Sequence, residues 1–187
     1  NNVATSDLTA IVTIEAKAIQ NLSSFNLDFI GFEIDEITVN GETAEFSRKG
    51  QELTIYPLKP LAENESFTVA VKYNGSPEEM QSVALPVQTG WVTVDGGSFV
   101  LSEPDGSASY YPVNDHPLDK ASYTFRVTVP EPFEVAANGV LTETTDNGDT
   151  TTFVFEARDP MASYLATINI DEFELEIMES ENGIPIR

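Results

Sequence analysis

The side chains able to do chemistry are few in kind. The chain of 187 residues holds one histidine, His116, and no cysteine. A metallopeptidase helix of the His-Glu-x-x-His type needs two imidazoles one turn apart, facing the same metal, so this chain cannot build it. The lack of cysteine excludes thiol catalysis, thiolate metal sites and disulfides. A Ser-His-Asp triad would have to use His116, which sits between Asp115 and Pro117 in a turn-like stretch, and no Gly-x-Ser-x-Gly elbow accompanies it. The plainer reading of His116 is a structural or exposed side chain.

Carboxylates are the abundant group: 31 Asp and Glu against 9 Lys and Arg, a formal net charge of −22. Such a surface repels phosphate backbones and anionic headgroups, which argues against nucleic-acid partners and membrane-surface binding. It attracts cations, yet Asp146-Asn147-Gly148-Asp149 does not follow the ordered ligand pattern of an EF-hand loop and reads better as a hairpin turn. Calcium held by clustered acidic loops stays an alternative, against the plainer reading of a well-solvated acidic face. No run reaches the roughly 20 apolar residues of a membrane span. Residues Asn1 to Asp7 have neither a basic start nor an apolar signal core. Trp91 and the adjacent Tyr110 and Tyr111 could stack on a ligand, but aromatics of this kind more often fill a core or a seam.

What must position these groups is β-structure. Apolar residues recur with period two at Leu8–Ala18, Phe67–Tyr73, Tyr123–Val129 and Phe173–Ile177, each run alternating with polar residues. Shorter strands are expected at Phe25–Ile30, Glu33–Val39, Glu52–Tyr56, Ser98–Leu101 and Thr151–Ala157. In Glu33–Val39 the apolar phase slips between Ile34 and Ile37, which a bulge would repair. Asn-Gly pairs begin at Asn40, Asn74, Asn138, Asn147 and Asn182. They suit type I′ hairpins, whose central residues need positive φ. The clearest hairpin joins Leu141–Thr145 to Thr150–Phe155. No long segment has helical periodicity, so the fold class is all-β, in layers of mostly antiparallel sheet. Pro86–Pro117, rich in Gly, Ser, Pro and Asp, reads either as a linker or as a structured, function-bearing loop region.

That same stretch carries a resemblance. Ser102-Glu103-Pro104-Asp105-Gly106, then Tyr110-Tyr111-Pro112-Val113-Asn114-Asp115-His116-Pro117 and Lys120-Ala121, resembles the segment of M1 metallopeptidases that runs Gln/Glu-Pro-x-Gly, aromatic-Pro-x-x-Asp-x-Pro and Lys-Ala before a strand. Val135-Ala136-Ala137-Asn138-Gly139 resembles the family's Asn-Gly turn, and Pro160-Met161-Ala162-Ser163-Tyr164-Leu165 its Pro-Met signature. Gly183–Arg187 looks like the crossing into a catalytic domain. The resemblance runs from Leu8 to Arg187. It departs at Val113, where members often carry Cys, and at His116, where many carry Glu.

The resemblance implies a saddle-like β-sandwich spanning 1–187 as one N-terminal domain, with an internal seam near 86–117 and a catalytic domain following residue 187. Zinc and the peptidase motifs would belong to that absent domain, leaving this chain inactive alone, without catalytic or metal-binding residues. Its partners would be its own catalytic domain and the substrate N-terminus. One residue carries over: Glu103 occupies the position from which the family's Gln or Glu reaches the substrate's first residue. A carboxylate pairs well with an α-ammonium when both are desolvated. Asp115 and Lys120 are expected to be structural, Asp115 capping backbone N–H groups of its turn. Two other readings remain: a stand-alone, calcium-dependent acidic binding or adhesion module, and a small carboxylate enzyme.

Overall fold

A computed structural model describes residues 7–94 and 96–183, with the backbone of 185–186. The Asn1–Ser6 start, Asp95, Ile184 and Arg187 lie outside the described residues.

In chain order the first strands are β1 (Leu8–Lys17), β2 (Phe25–Asp28), β3 (Glu33–Val39), β4 (Glu42–Thr43), β5 (Glu45–Lys49), β6 (Glu52–Tyr56) and β7 (Ser66–Gly75). They form a four-stranded sheet, β1-β7-β3-β4, and a three-stranded sheet, β2-β6-β5. Alternation decides their faces. Along β1 every second side chain is half-buried and every other one exposed. In β7, Phe67, Val69, Val71 and Tyr73 point inward. With Leu27, Ile37, Leu53 and Ile55 they make the first hydrophobic core. Phe29, fully buried, stacks on Phe32 at 5.5 Å and meets the edge of Tyr73 at 4.8 Å. The phase slip in β3 is a register shift between Ile34 and Glu36 against β7. The bulge returns Ile37 and Val39 to the core face, as the sequence requires.

The second run is β8 (Met80–Gln81), β9 (Gln88–Val94), β10 (Gly97–Leu101), β11 (Ala121–Pro130), β12 (Glu134–Ala137), β13 (Val140–Asp146), β14 (Thr150–Met161) and β15 (Ile168–Asp171). A five-stranded sheet, β12-β15-β10-β9-β8, faces a three-stranded sheet, β11-β14-β13. Trp91, Val100, Val127, Val129, Phe153, Phe155 and Ile170 form a second core between them. Every strand pairing among the described residues is antiparallel. The fold is therefore all-β, a saddle-like arrangement of sandwiches. Among the described residues, no helix is long and apolar enough to cross a membrane.

Two expectations about strands and turns need correction. Phe173–Ile177 is not a strand: it has no pairing partner among the described residues, and Phe173, Leu175 and Ile177 are 44, 55 and 66% exposed. Alternation prepares an extended segment for a sheet, but only a neighbouring edge makes it a strand. The chain beyond it forms a short pair, β16 (Met178–Glu179) with β17 (Pro185–Ile186). The hairpin turn at Asn147-Gly148 is not type I′ either, since only Gly148 takes positive φ. There the Asp146 carboxylate accepts the Gly148 N–H at 2.7 Å, a local turn that needs one left-handed residue. Asn40-Gly41 is the turn with both φ values positive, 52° and 79°, between β3 and β4.

Candidate functional site

Glu103 lies just past β10. Along that strand Phe99 and Leu101 are exposed while Val100 and Ser102 are buried, and Glu103 continues the exposed phase. Its carboxylate has no hydrogen-bond or ion-pair partner among the described residues. An apolar groove lies toward the opposite end of β10, where Gly97 pairs with Val94. Val94, Phe99, Ala136 and Phe173 line this groove of about 400 Å³ on the outer face of the five-stranded sheet, with Asn169 and Asp171 at its polar side.

The loop under Glu103 is firmly built. The Gly106 N–H closes onto the Ser102 carbonyl at 2.8 Å, and the Ser109 hydroxyl donates to the Gly106 carbonyl at 2.8 Å. A short 3-10 turn, Ser107–Ser109, follows and is buried throughout. A Cβ on Gly106 would meet the Gly90 backbone nitrogen at 2.7 Å, so the loop rests directly on β9. Only glycine permits that approach.

The other signature residues bind one another. The Tyr110 hydroxyl donates to the Ala166 carbonyl at 2.7 Å, and the Tyr111 hydroxyl to the Ser163 carbonyl at 3.3 Å. The Asn138 side chain clasps the same strand entry, donating to the Leu165 carbonyl at 3.0 Å and accepting the Thr167 N–H at 2.7 Å. Segment 108–115 also reaches the first core. Ile30 N–H donates to the Ala108 carbonyl, Asp28 and Val113 exchange both backbone bonds, and the Tyr73 hydroxyl donates to the Tyr110 carbonyl at 2.7 Å. Burial pushes the Tyr73, Tyr110 and Tyr111 phenols up, so all three stay neutral donors.

Asp115 is structural, but not in the manner expected. Among the described residues its carboxylate caps no backbone N–H; it accepts the Ser163 hydroxyl at 2.5 Å. The Asp28 carboxylate instead accepts the Asp115 N–H at 3.0 Å, and also the Gln51 amide at 2.9 Å. Burial raises the Asp115 carboxyl above the usual carboxylate range, the Ser163 hydroxyl pulls it back, and Asp28 and Asp105 push it further up. The sign follows: the folded chain holds this proton more tightly than the unfolded chain, so stability falls as pH rises from the ordinary carboxylate value through the raised one. Asp115→Asn keeps an acceptor for Ser163 without the buried charge. It is expected to flatten that stretch of the curve and to match or exceed the parent at neutral pH, read as urea midpoints against pH.

His116 is exposed, and its Nδ1 accepts the Leu118 N–H at 3.2 Å within its own turn. Lys120 is exposed one residue before β11. Among the described residues no three of the imidazole and carboxylate groups come together as a metal ion would need. With a single imidazole and no thiolate, the donor set does not fit a catalytic zinc. Sequence reading singled out Glu103 and the signature segments, Asp105 among them, but not the bonds that Asp28, Ser82 and Asp105 make. Their bonds span 87, 23 and 22 residues of chain, and no local pattern encodes them.

Known proteins supply the remaining comparison. The family model for the peptidase M1 N-terminal domain matches residues 2–165. "Probable aminopeptidase 1" of Sulfurisphaera tokodaii is 24% identical over 150 residues, 79% of this chain and 18% of that protein. "Aminopeptidase A" of Gloydius brevicauda is 33% identical over 87 residues, 46% of this chain and 9% of that protein. The crystal structure of an M1 zinc metallopeptidase from Deinococcus radiodurans has a TM-score of 0.82 at 32% identity, covering 88% of this chain and 38% of that one. A two-domain M1 zinc metallopeptidase bound to L-arginine gives 0.83 over the same shares. The chain thus spans well under half the length of these relatives. With most of its length under the family model and its two sandwiches shared with M1 metallopeptidases, this chain belongs to the peptidase M1 N-terminal domain family.

Proposed function

We propose that this chain is the non-catalytic part of a zinc aminopeptidase: it buttresses a following catalytic domain and lends Glu103 to the pocket for the substrate's N-terminus. The observation that carries the reading is an exposed carboxylate, without a partner among the described residues, on a braced loop, in a family whose relatives are named aminopeptidases. An unpaired surface carboxylate is unremarkable alone. On a loop pinned to a sheet, it is a pre-placed partner for an ammonium group in a site that another domain would close. The groove at Phe99 and the unpaired Phe173–Ile177 stretch support the buttressing role, because both leave apolar side chains for a neighbour to cover.

The test uses the full-length protein. Glu103→Ala is expected to lower kcat/KM for aminoacyl substrates by about 10–100-fold, chiefly through KM, which corresponds to one charge-assisted hydrogen bond of roughly 1.5–3 kcal/mol. The melting temperature should hardly move, since Glu103 is exposed. Unchanged KM would remove Glu103 from the pocket. Chelator-sensitive aminopeptidase turnover by residues 1–187 alone would overturn the non-catalytic reading.

A further inference from the structure

Among the described residues the Glu103 carboxylate has no partner, so its position is the position of its loop. Asp105, two residues on, supplies the polar tie. Its Oδ2 accepts the Val83 N–H at 2.7 Å and the Ser82 hydroxyl at 3.1 Å. Ser82 is 6% exposed, and its oxygen in turn accepts the N–H groups of Ala84 and Leu85 at 3.1 and 3.0 Å. The Gln81 amide donates to the Leu85 and Val87 carbonyls at 3.3 and 3.0 Å. The 81–87 turn is therefore a closed unit, and Asp105 fastens the Glu103 loop to it. The opposite side of the loop rests on β9 through the Gly106–Gly90 contact, which fixes height but offers no directional bond.

We infer that Asp105 is a positioning residue for Glu103: its carboxylate locks the loop laterally, so that the neighbouring carboxylate meets the substrate's ammonium without reorganising. The inference rests on the role proposed for Glu103. The geometry asks only for an acceptor at Oδ2, because the other oxygen, Oδ1, is buried without a partner. Asparagine can present the same acceptor, whereas alanine cannot. A positioning role and a direct electrostatic role are thereby separable.

The experiment is a double-mutant cycle in the full-length protein, with kcat and KM measured on an aminoacyl substrate and thermal unfolding alongside. Asp105→Ala is expected to raise KM about tenfold, the scale of a sub-ångström displacement of a binding group, with a smaller change in kcat. Asp105→Asn should recover most of that loss. In a Glu103→Ala background, Asp105→Ala should add nothing, because a residue that acts through Glu103 has no further effect once Glu103 is gone. Additive losses, or Asp105→Asn behaving like Asp105→Ala, would overturn the inference. If Glu103→Ala raises KM while Asp105→Ala does not, the inference fails and the Glu103 reading stands. If Glu103→Ala leaves KM unchanged, both fall. Should Asp105→Ala not fold, Ser82→Ala removes one of the two bonds. It is then expected to raise KM about threefold, again only when Glu103 is present, and no rise would overturn the inference.

Discussion

Replacing Tyr110 with alanine is expected to destabilise the chain by about 3–5 kcal/mol, a large share of the roughly 5–15 kcal/mol that holds a typical domain together. The ring is 4% exposed, with Tyr111 at 4.7 Å and Trp91 at 6.2 Å between ring centroids. Truncation opens a cavity in the second core and strips the Ala166 carbonyl of its hydroxyl partner. It also loosens the segment whose carbonyl receives Tyr73 from the first core. Tyr110→Phe isolates one part of this. It keeps the ring and loses only the hydroxyl, so about 1–2 kcal/mol is expected. Urea unfolding of both variants reads the two values. Equal losses would mean that the hydrogen bond, not the packing, carries the residue.

The second large effect is expected at Gly139→Ala. Gly139 has φ +94°, and a Cβ there would lie 2.3 Å from the Glu156 carbonyl oxygen and 2.4 Å from its carbon. Both obstacles are backbone atoms of β14, the middle strand of its sheet, and neither can turn aside. Backbone strain and overpacking together should cost about 3 kcal/mol or more. Gly148→Ala is the control: φ is again +94°, but nothing lies within 4 Å of the added carbon. Only the left-handed backbone then costs, about 1–2 kcal/mol. A thermal-melt difference between the two variants measures the close approach itself.

Both predictions fall on residues of the segments that carry the family resemblance, and in both the reason is structural. Tyr110, Tyr111, Asp115, Asn138 and Ser163 spend their polar groups on one another or on nearby backbone. Glu103 differs, because its charge is directed at no other described residue. A signature read from sequence mixes these two kinds of residue, since each is constrained in type. The structure sorts them by asking whether the side chain already has a partner.

The strands show the same division. β1, β7 and β11 were legible because alternation over ten residues has one explanation, a sheet with one wet face. The central part of β14 was harder: Phe153, Val154 and Phe155 are all buried, so period two disappears where both faces are covered. β9 and β15 gave little signal because they are short and interrupted by glycine or polar residues, and their pairing with β10 made them strands.

From sequence alone came the all-β class, the absence of a donor set for catalytic zinc, the family, and Glu103 as the residue to watch. These follow from residue types and near-neighbour periodicity, which the linear chain carries in full. Tertiary structure alone decided that Asp105 ties the Glu103 loop to the 81–87 turn, that Asp115 meets Ser163, and that Phe173–Ile177 stays unpaired. Each depends on which distant segment the chain path brings alongside, and hydrogen bonds reach only about 3 Å, so their partners are set by the fold.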